Sequence, residues 1–188
     1  MTKKEVIKQH AARLFRLKGY KATSMRDIAQ EVGMEAASLY NHISNKQEIL
    51  AELMMHIAEL FTDGMENIQK SSLSPREKME RLIALHIRYT VEKPDAVAII
   101  TSEWVHLEEP NHKKYLLLRS AYEQNIQSII EKGMKEKQFA KVDSKIAAFS
   151  ILSTLRWLYS WYHQQDHTNP VELEQKMIQC LVDGIAIR

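Results

Sequence analysis

The sequence predicts an all-α protein of about nine helices, and three observations support this prediction. Only five glycines and four prolines occur among 188 residues, so the chain has few of the residues that separate short strands. Apolar residues recur at intervals of three and four along most of the chain, which is the period of an amphipathic helix. Several segments begin with a capping residue followed by proline or an acidic residue, which is how helices usually start.

The N-terminal segment is predicted to form three helices. The first covers residues 3–18 and has one apolar stripe. Ser24 and Asp27 have the spacing of a capping box for a second, short helix, and Gly33 ends that helix after about two turns. A third helix of similar length is predicted over about 35–42. This arrangement of two short helices around a tight turn is typical of a helix-turn-helix.

A long helix is predicted next, over Asn45–Lys70, with Ser44 and Gln47 as its capping box. We place a domain boundary near its start. Residues 1–50 then form a helix-turn-helix domain, and residues 51–188 form a second, helical domain. The long helix would connect the two.

The second domain is predicted to contain five more helices, each with a clear start signal. The signals are Ser74–Pro75, Pro94, Pro110, Asp143 and Asn169–Pro170. The segment Ile146–Tyr162 is apolar almost all round, which is expected if one face packs on its own core and the other on a partner. The alternative is a helix buried wholly within a monomer.

Composition excludes several classes of protein. The single cysteine, Cys180, rules out a disulfide within the chain, and we expect a reducing, cytoplasmic location. No run of 18 apolar residues predicts a membrane span. The net charge of +2 is unevenly placed, because residues 1–50 hold nine Lys or Arg and five Asp or Glu. Residues 1–50 therefore have a net charge of +4, and the remaining residues have a net charge of −2. A basic N-terminal domain is suited to binding a polyanion such as nucleic acid.

Catalytic and metal-binding motifs are not found in the sequence. It has no glycine-rich phosphate loop, nucleophile elbow or metalloprotease helix, so we expect neither an enzyme nor a cofactor. His163 and His167 are four residues apart with Asp166 between them, a spacing that would suit zinc on a continuous helix. This stretch is predicted to be the end of a helix, however, and no further motif completes a metal site. A second polar cluster, which includes His106, is interpreted as a solvated corner beside Pro110.

The most informative stretch is residues 19–50. Small and polar side chains at the start of its third predicted helix would let the backbone approach bases in a major groove about 12 Å wide. Hydroxyl, amide, imidazole and ammonium groups flank that helix, and such groups bind phosphates. The candidate DNA-binding residues are Thr23, Ser24, Glu35, Ala36, Ala37, Ser38, Tyr40, Asn41, His42 and Lys46.

The same stretch resembles the DNA-binding domain of the TetR family of bacterial transcriptional regulators. The matching positions, in order, are Gly19-Tyr20, Thr23, Ile28-Ala29, Gly33, Leu39-Tyr40-Asn41-His42, and Lys46 with Ile49 three residues on. Ile49 stands where the family usually has Leu, and Ile43 where it has an aromatic residue. Asn41 stands where an aromatic or basic residue is common, and its amide suits adenine.

The resemblance implies a function and a division of roles. Thr23, Tyr40, His42 and Lys46 would contact phosphates, whereas base edges would face Ala36, Ala37, Ser38 and Asn41. It also implies a homodimer that pairs through the last two helices and binds a palindromic operator. A small apolar effector in the second domain would release the DNA, and repression is the usual outcome. The alternative from another class is a helical protein–protein interaction module without DNA binding.

Aromatic and methionine side chains in the second domain indicate an adaptable apolar pocket. The candidate ligand-binding residues are Tyr89, Trp104, Arg119, Tyr122, Phe149 and Trp157. The string Trp157–Tyr162, followed by Asn169-Pro170, resembles a subgroup that senses fatty acyl-CoA. Phosphates of CoA would need Arg or Lys at the pocket mouth. A hydrophobic drug-like or aromatic ligand is the alternative.

Overall fold

The computed structural model describes residues 2–164 and 168–184, and within them it contains nine α-helices, one 3-10 helix and no strand. The helices are α1 Lys3–Lys18, α2 Met25–Val32, α3 Ala36–Tyr40, α4 Lys46–Lys70, α5 Pro75–Glu92, α6 Pro94–Ser102, α7 Asn111–Lys135, α8 Ser144–Tyr162 and α9 Pro170–Leu181, with the 3-10 helix at Trp104–His106. The prediction of an all-α fold is confirmed. Asp166 and His167 lie outside the described residues.

The chain divides into two compact units. Unit 1 comprises Met1–Glu59 and Asp95–Leu116, and unit 2 comprises Leu60–Pro94 and Leu117–Arg188. The first unit therefore extends beyond residue 50 and takes in a segment from the middle of the chain. Each of the long helices α4 and α7 contributes residues to both units.

Unit 1 is built on α1, α2 and α3. Its core contains fully buried apolar residues from each of these helices and from the start of α4, among them Ile7, Phe15, Ile28, Leu39 and Ile49. Thr2 and Glu5 form a capping box on α1. The predicted box of Ser24 and Asp27 on α2 is also present. These caps satisfy backbone N–H groups that the first turn of a helix leaves free.

The start of α4 differs from the prediction by one residue. The Asn45 side chain accepts the N–H of Glu48 at 2.9 Å, and the Glu48 carboxylate accepts the N–H of Ser44 at 2.7 Å. The predicted pair of Ser44 and Gln47 is therefore wrong. Ser and Asn are both common capping residues, and here Asn45 caps α4 while the Glu48 carboxylate binds the N–H of Ser44, one residue before the cap.

Unit 2 is centred on α5, which packs on α8 and α9. Its predicted start is confirmed, since Ser74 caps the helix, Glu77 completes the box and Pro75 occupies the first turn. The predicted caps Asp143 and Asn169 are also present on α8 and α9. None of the helices in the described ranges is both long and apolar enough to span a membrane.

Helix α8 has two apolar faces. One is buried and consists of Ala148, Ile151, Leu152, Leu155 and Leu158. The other is exposed in the single chain and consists of Ile146, Phe149, Trp157 and Trp161. We call these four residues the α8 outer face.

Candidate nucleic-acid interface and effector site

The turn between α2 and α3 has the geometry of a helix-turn-helix. Gly33 takes the left-handed conformation, with φ of 73° and ψ of 37°, which a residue with a side chain adopts at a cost. Leu39 anchors α3 against the core, where Ile28 of α2 is also fully buried. The predicted helix over 35–42 is shorter in the structure, with Glu35 as its N-terminal flanking residue.

The outward face of α3 carries short and polar side chains. The exposed residues are Glu35, Ala37, Ser38, Tyr40 and Asn41, and Ala36 and His42 are half-buried. Tyr40 is 54 % exposed, so it is a surface aromatic and not part of the core. This face presents small side chains with hydrogen-bonding groups at one end, which suits close approach to a base-pair edge.

Thr23 and Lys46 are engaged with the backbone of the turn between α1 and α2. The Thr23 side chain is buried, and its hydroxyl donates to the carbonyl of Gly19 at 2.9 Å. The Lys46 ammonium donates to the carbonyls of Tyr20 and Thr23 at 2.7 and 2.6 Å and lies 4.2 Å from the Tyr20 ring centre. Burial lowers the pKa of Lys46. Both side chains therefore fix the backbone from which α2 starts.

Ser24 is exposed and caps α2. Its hydroxyl accepts the N–H of Asp27 at 3.1 Å, and its own N–H donates to the Asp27 carboxylate at 2.7 Å. The Ser24 hydroxyl also donates to the Asp27 carboxylate, and this bond, followed by the one from the Ser24 N–H, holds the pKa of Asp27 below its ordinary value. The N-terminus of α2 is thus ordered and faces solvent.

A set of contacts in unit 1 was not predicted from the sequence. The His106 ring stacks on Tyr20 at 5.6 Å, and its backbone carbonyl accepts a hydrogen bond from the Gln47 side chain. The Arg16 guanidinium pairs with Asp95. We call these contacts the clasp. His106 is therefore packed against Tyr20, in the turn between α1 and α2, and against Gln47 of α4, and the interpretation as a solvated corner is wrong for this residue.

Unit 2 contains a buried polar and aromatic cluster. His86 Nε2 lies 3.0 Å from the Tyr122 hydroxyl, and the Phe61 ring lies 4.7 Å from the His86 ring. Tyr89 packs edge-on against Phe61 at 5.0 Å, and Thr90 follows His86 by one turn of α5. Burial lowers the pKa of His86 to about 3 and raises the pKa of Tyr122. The imidazole is therefore neutral at ordinary pH.

Two arginines lie on one carboxylate in unit 2. Arg156 of α8 donates to Glu123 at 2.7 Å, and Arg119 of α7 donates to the same oxygen at 3.1 Å. Burial raises the pKa of Glu123, but the hydrogen bonds from Arg156 and Arg119 outweigh it and the pKa is lowered overall. The two guanidinium groups and the carboxylate together carry a net charge of +1.

A groove of about 630 Å³ runs between α4, α5 and the start of α9 in unit 2. Its walls are mostly apolar, and Arg81 and Arg88 of α5 stand along it, two turns apart. None of the six predicted ligand-binding residues lines this groove. Gly64 permits the close helix packing beside it, since a side chain there would collide with Leu85.

The structure brings together some of the predicted ligand-binding residues. Tyr89 and Tyr122 meet around Phe61. Phe149 and Trp157 are 71 % and 59 % exposed on the α8 outer face, which fits a protein interface better than a pocket lining. Trp104 belongs to unit 1 and stacks on His112 at 6.1 Å.

A helix-turn-helix with an exposed third helix, followed by a helical unit, defines the class of DNA-binding regulators. Residues 7–53 match the family of bacterial regulatory proteins of the tetR type, and residues 72–185 match the tetracyclin repressor-like C-terminal domain. The chain therefore belongs to the TetR family. It is a DNA-binding transcriptional regulator and not an enzyme.

Individual relatives span nearly the whole chain. The transcriptional repressor KstR2 of Rhodococcus jostii RHA1 is 26 % identical over 178 residues, which are 94 % of this chain and 87 % of that protein. The structure of the ketosteroid regulator KstR2 of Mycobacterium tuberculosis has a TM-score of 0.93 at 21 % identity and covers 100 % of this chain and 96 % of its own. AibR in complex with isovaleryl coenzyme A and operator DNA has a TM-score of 0.84 at 25 % identity and covers 96 % and 98 %.

Proposed function

We propose that the protein is a cytoplasmic, homodimeric repressor that binds a palindromic operator through α3 and is released by an acyl-CoA bound in unit 2. The observation that carries the proposal is the exposed face of α3, with its small side chains, in a chain whose two parts match the TetR family. Two relatives support the finer points. KstR2 is named a repressor, and AibR was solved with isovaleryl coenzyme A and operator DNA.

The α3 face is assigned to the major groove. Glu35, Ala36, Ala37, Ser38 and Asn41 face base edges, because they are small or polar and stand on the leading turn or the outward side. Tyr40 and His42 then reach phosphates at the far end of the helix, and Ser24 does so at the N-terminus of α2.

Thr23 and Lys46 act mainly by positioning. Their polar groups bind backbone carbonyls of the turn between α1 and α2. They thereby fix the position of α2 and α3 relative to the major groove of DNA. Lys46 keeps a third N–H, because an ammonium has three donors and two are used. A phosphate can accept that bond.

The α8 outer face and α9 form the dimer interface. Four large apolar side chains on one helix face are an unusual exposure for a soluble monomer. A second copy related by a two-fold axis would bury the same residues on both chains. Two α3 helices would then address two half-sites of a palindrome.

The effector binds in unit 2 with its apolar part among Phe61, Tyr89 and Tyr122. Arg119 and the other basic residues of that unit are the partners for CoA phosphates. Aromatic side chains of this kind provide apolar contact and a few polar groups, which is typical of small-molecule sites.

Coupling passes through the chain segment Asp95–Leu116. This segment belongs to unit 1, and the chain continues from its two ends into unit 2, through Lys93 and Pro94 to α5 on one side and along the rest of α7 on the other. A ligand that shifts α5 or α7 therefore pulls on the clasp, which holds the helix-turn-helix at Arg16, Tyr20 and Gln47. The effector releases DNA only to the extent that it binds the shifted state more tightly.

The proposal is tested with a labelled DNA fragment that the protein binds, followed by fluorescence anisotropy. Isovaleryl-, decanoyl- and palmitoyl-CoA are titrated into the complex, with CoA and the free acids as controls. Release by at least one thioester, and by neither CoA nor its free acid, is the expected result. Retention of DNA at saturating concentrations of all three thioesters would rule out an acyl-CoA effector among those chain lengths.

A further inference from the structure

One buried hydroxyl in unit 2 has no partner. Thr90 Oγ1 is, among the side chains that the structure describes, the one buried side-chain polar atom without a hydrogen bond. Thr90 is 1 % exposed, and it lies on the same face of α5 as His86, one turn further on. Buried polar groups are nearly always hydrogen-bonded, because leaving one unpaired is costly. The cost suggests that something outside the chain supplies the partner.

The neighbouring pair of His86 and Tyr122 also keeps an unused donor. Both groups are neutral, so together they carry one N–H and one O–H proton. The 3.0 Å bond between them uses one of these protons. In one tautomer the remaining donor is the His86 Nδ1–H, and in the other it is the Tyr122 O–H. With the Thr90 hydroxyl, the cluster has two uncommitted donors in either state.

The chemistry of the cluster favours an uncharged acceptor. A carbonyl oxygen has two lone pairs and can accept both donors. A carboxylate is disfavoured, because His86 is neutral and the nearby Arg156 is already paired with Glu123. The Phe61 ring packs over His86 and is an apolar surface for the carbon chain beside the carbonyl.

We propose that His86, Tyr122 and Thr90 bind the carbonyl oxygen of the effector and thereby select a thioester over the corresponding acid or thioether. The inference rests on the proposed acyl-CoA effector and deepens it, since it names the group that is recognised and the residues that recognise it. A site built to hydrogen-bond one polar atom rejects analogues that lack the atom, because its own buried groups are then left unpaired.

The test compares matched ligands by titration calorimetry on the full-length protein. Isovaleryl-, decanoyl- and palmitoyl-CoA are each paired with the S-alkyl-CoA thioether of equal chain length, which lacks the carbonyl. We expect the wild type to bind at least one thioester about tenfold more tightly than its thioether, as loss of one to two hydrogen bonds predicts. Thr90→Val and Tyr122→Phe should reduce that preference to about twofold or less.

Two controls separate recognition from folding. Thr90→Ser keeps the hydroxyl and should keep the preference. Tyr115→Phe removes the hydroxyl of another buried tyrosine of α7, which donates to the Ile100 carbonyl at 3.2 Å, and should also leave it unchanged. The Thr90→Val protein without ligand should melt about 2 to 4 °C higher than the wild type, because an unpaired buried hydroxyl has been removed.

The outcomes distinguish the two proposals. If the wild type binds thioester and thioether equally, or if Thr90→Val keeps the full preference, the carbonyl site is wrong while the acyl-CoA effector stands. If the wild type binds none of the three thioesters, the effector class is wrong and the carbonyl site falls with it.

Discussion

At the scale of single residues, the proposed DNA contacts depend on which side chains of α3 point outward. Leu39 is fully buried, whereas Ala37 and Tyr40 on the same helix are exposed. The helical period separates these positions, and the exposure that a DNA contact requires of Ala37 and Tyr40 is present. The roles of Thr23 and Lys46 could not be predicted in this way, because a pattern does not reveal that a hydroxyl or ammonium already binds backbone carbonyls.

Ala37→Glu should abolish specific DNA binding. The exposed methyl would become a carboxylate on the face assigned to the major groove, where it meets phosphate charge and base acceptors. Anisotropy with a bound fragment measures the loss, and Ala121→Glu, at an exposed position of α7, is the matched control. Wild-type affinity of Ala37→Glu would show that α3 is not the reading helix.

Tyr40→Ala should weaken DNA binding by roughly 2- to 10-fold, the effect of one hydrogen bond and some contact area. The side chain is 54 % exposed, so the melting temperature should change little. Tyr40→Phe, measured in the same assay, distinguishes the contribution of the hydroxyl to DNA affinity from that of the ring. Unchanged affinity of the alanine variant would exclude Tyr40 as a contact.

At the scale of helices, the starts of elements were predictable and their long-range contacts were not. Capping pairs act within four residues, so Ser24 with Asp27 and Ser74 with Glu77 were visible in the sequence. The clasp joins residues 59 to 86 positions apart, which no local pattern encodes. For a different long-range contact, the packing of α4 on α5, the sequence did offer a signal. Gly64 lies inside a long helix, and a glycine there indicates that a neighbouring helix packs closely.

His86, which is buried on α5, should make the free energy of unfolding of the protein depend on pH. Its pKa of about 3 in the fold lies below its ordinary value of 6.5. As the pH falls from 6.5 towards 3, the unfolded chain binds a proton that the folded chain excludes, so stability decreases by about 1.4 kcal/mol per pH unit. Tyr122, Tyr89 and Arg156 are the titratable or charged groups that influence this site.

Urea unfolding at pH 7, 6 and 5 and a fixed protein concentration measures this slope. His86→Phe should have a shallower slope than the wild type, and His56→Gln, at an exposed position of α4, should have the same slope as the wild type. Parallel slopes for the wild type and His86→Phe would contradict a neutral, buried His86.

Asp95→Asn should weaken release of DNA while leaving both binding steps intact. The substitution breaks the ion pair with Arg16 in the clasp, and neither residue lies on the α3 face. We expect operator affinity and acyl-CoA affinity within about twofold of the wild type, with more effector needed for release. Asp63→Asn, at an exposed position of α4, is the control. Normal release by Asp95→Asn would remove this pair from the coupling route.

At the scale of the whole molecule, the sequence predicted a second apolar face on α8 but not which residues form it. Phe149 and Trp157 were expected in a pocket, yet their exposure on the α8 outer face depends on how α8 packs on α5. Packing partners are set by the whole fold, so a periodic pattern shows that two faces exist and not which one is covered.

Trp157→Glu should convert the dimer to a monomer. A charge would be buried at the centre of the proposed interface, where it has no partner. Light scattering after gel filtration measures the mass, and Val105→Glu, also at an exposed apolar residue, should remain dimeric. A dimeric mass for Trp157→Glu at low micromolar concentration would place the interface elsewhere.

The central claim is that two copies of the chain read DNA through paired α3 helices. It is tested most directly by selecting the fragments that the purified protein binds from sheared genomic DNA and sequencing them. We predict enrichment of a two-fold symmetric sequence whose half-sites are about one helical turn apart or somewhat wider, and no enrichment by Ala37→Glu. Enrichment of no symmetric sequence by the wild type, or of the same sequence by Ala37→Glu, would contradict the claim.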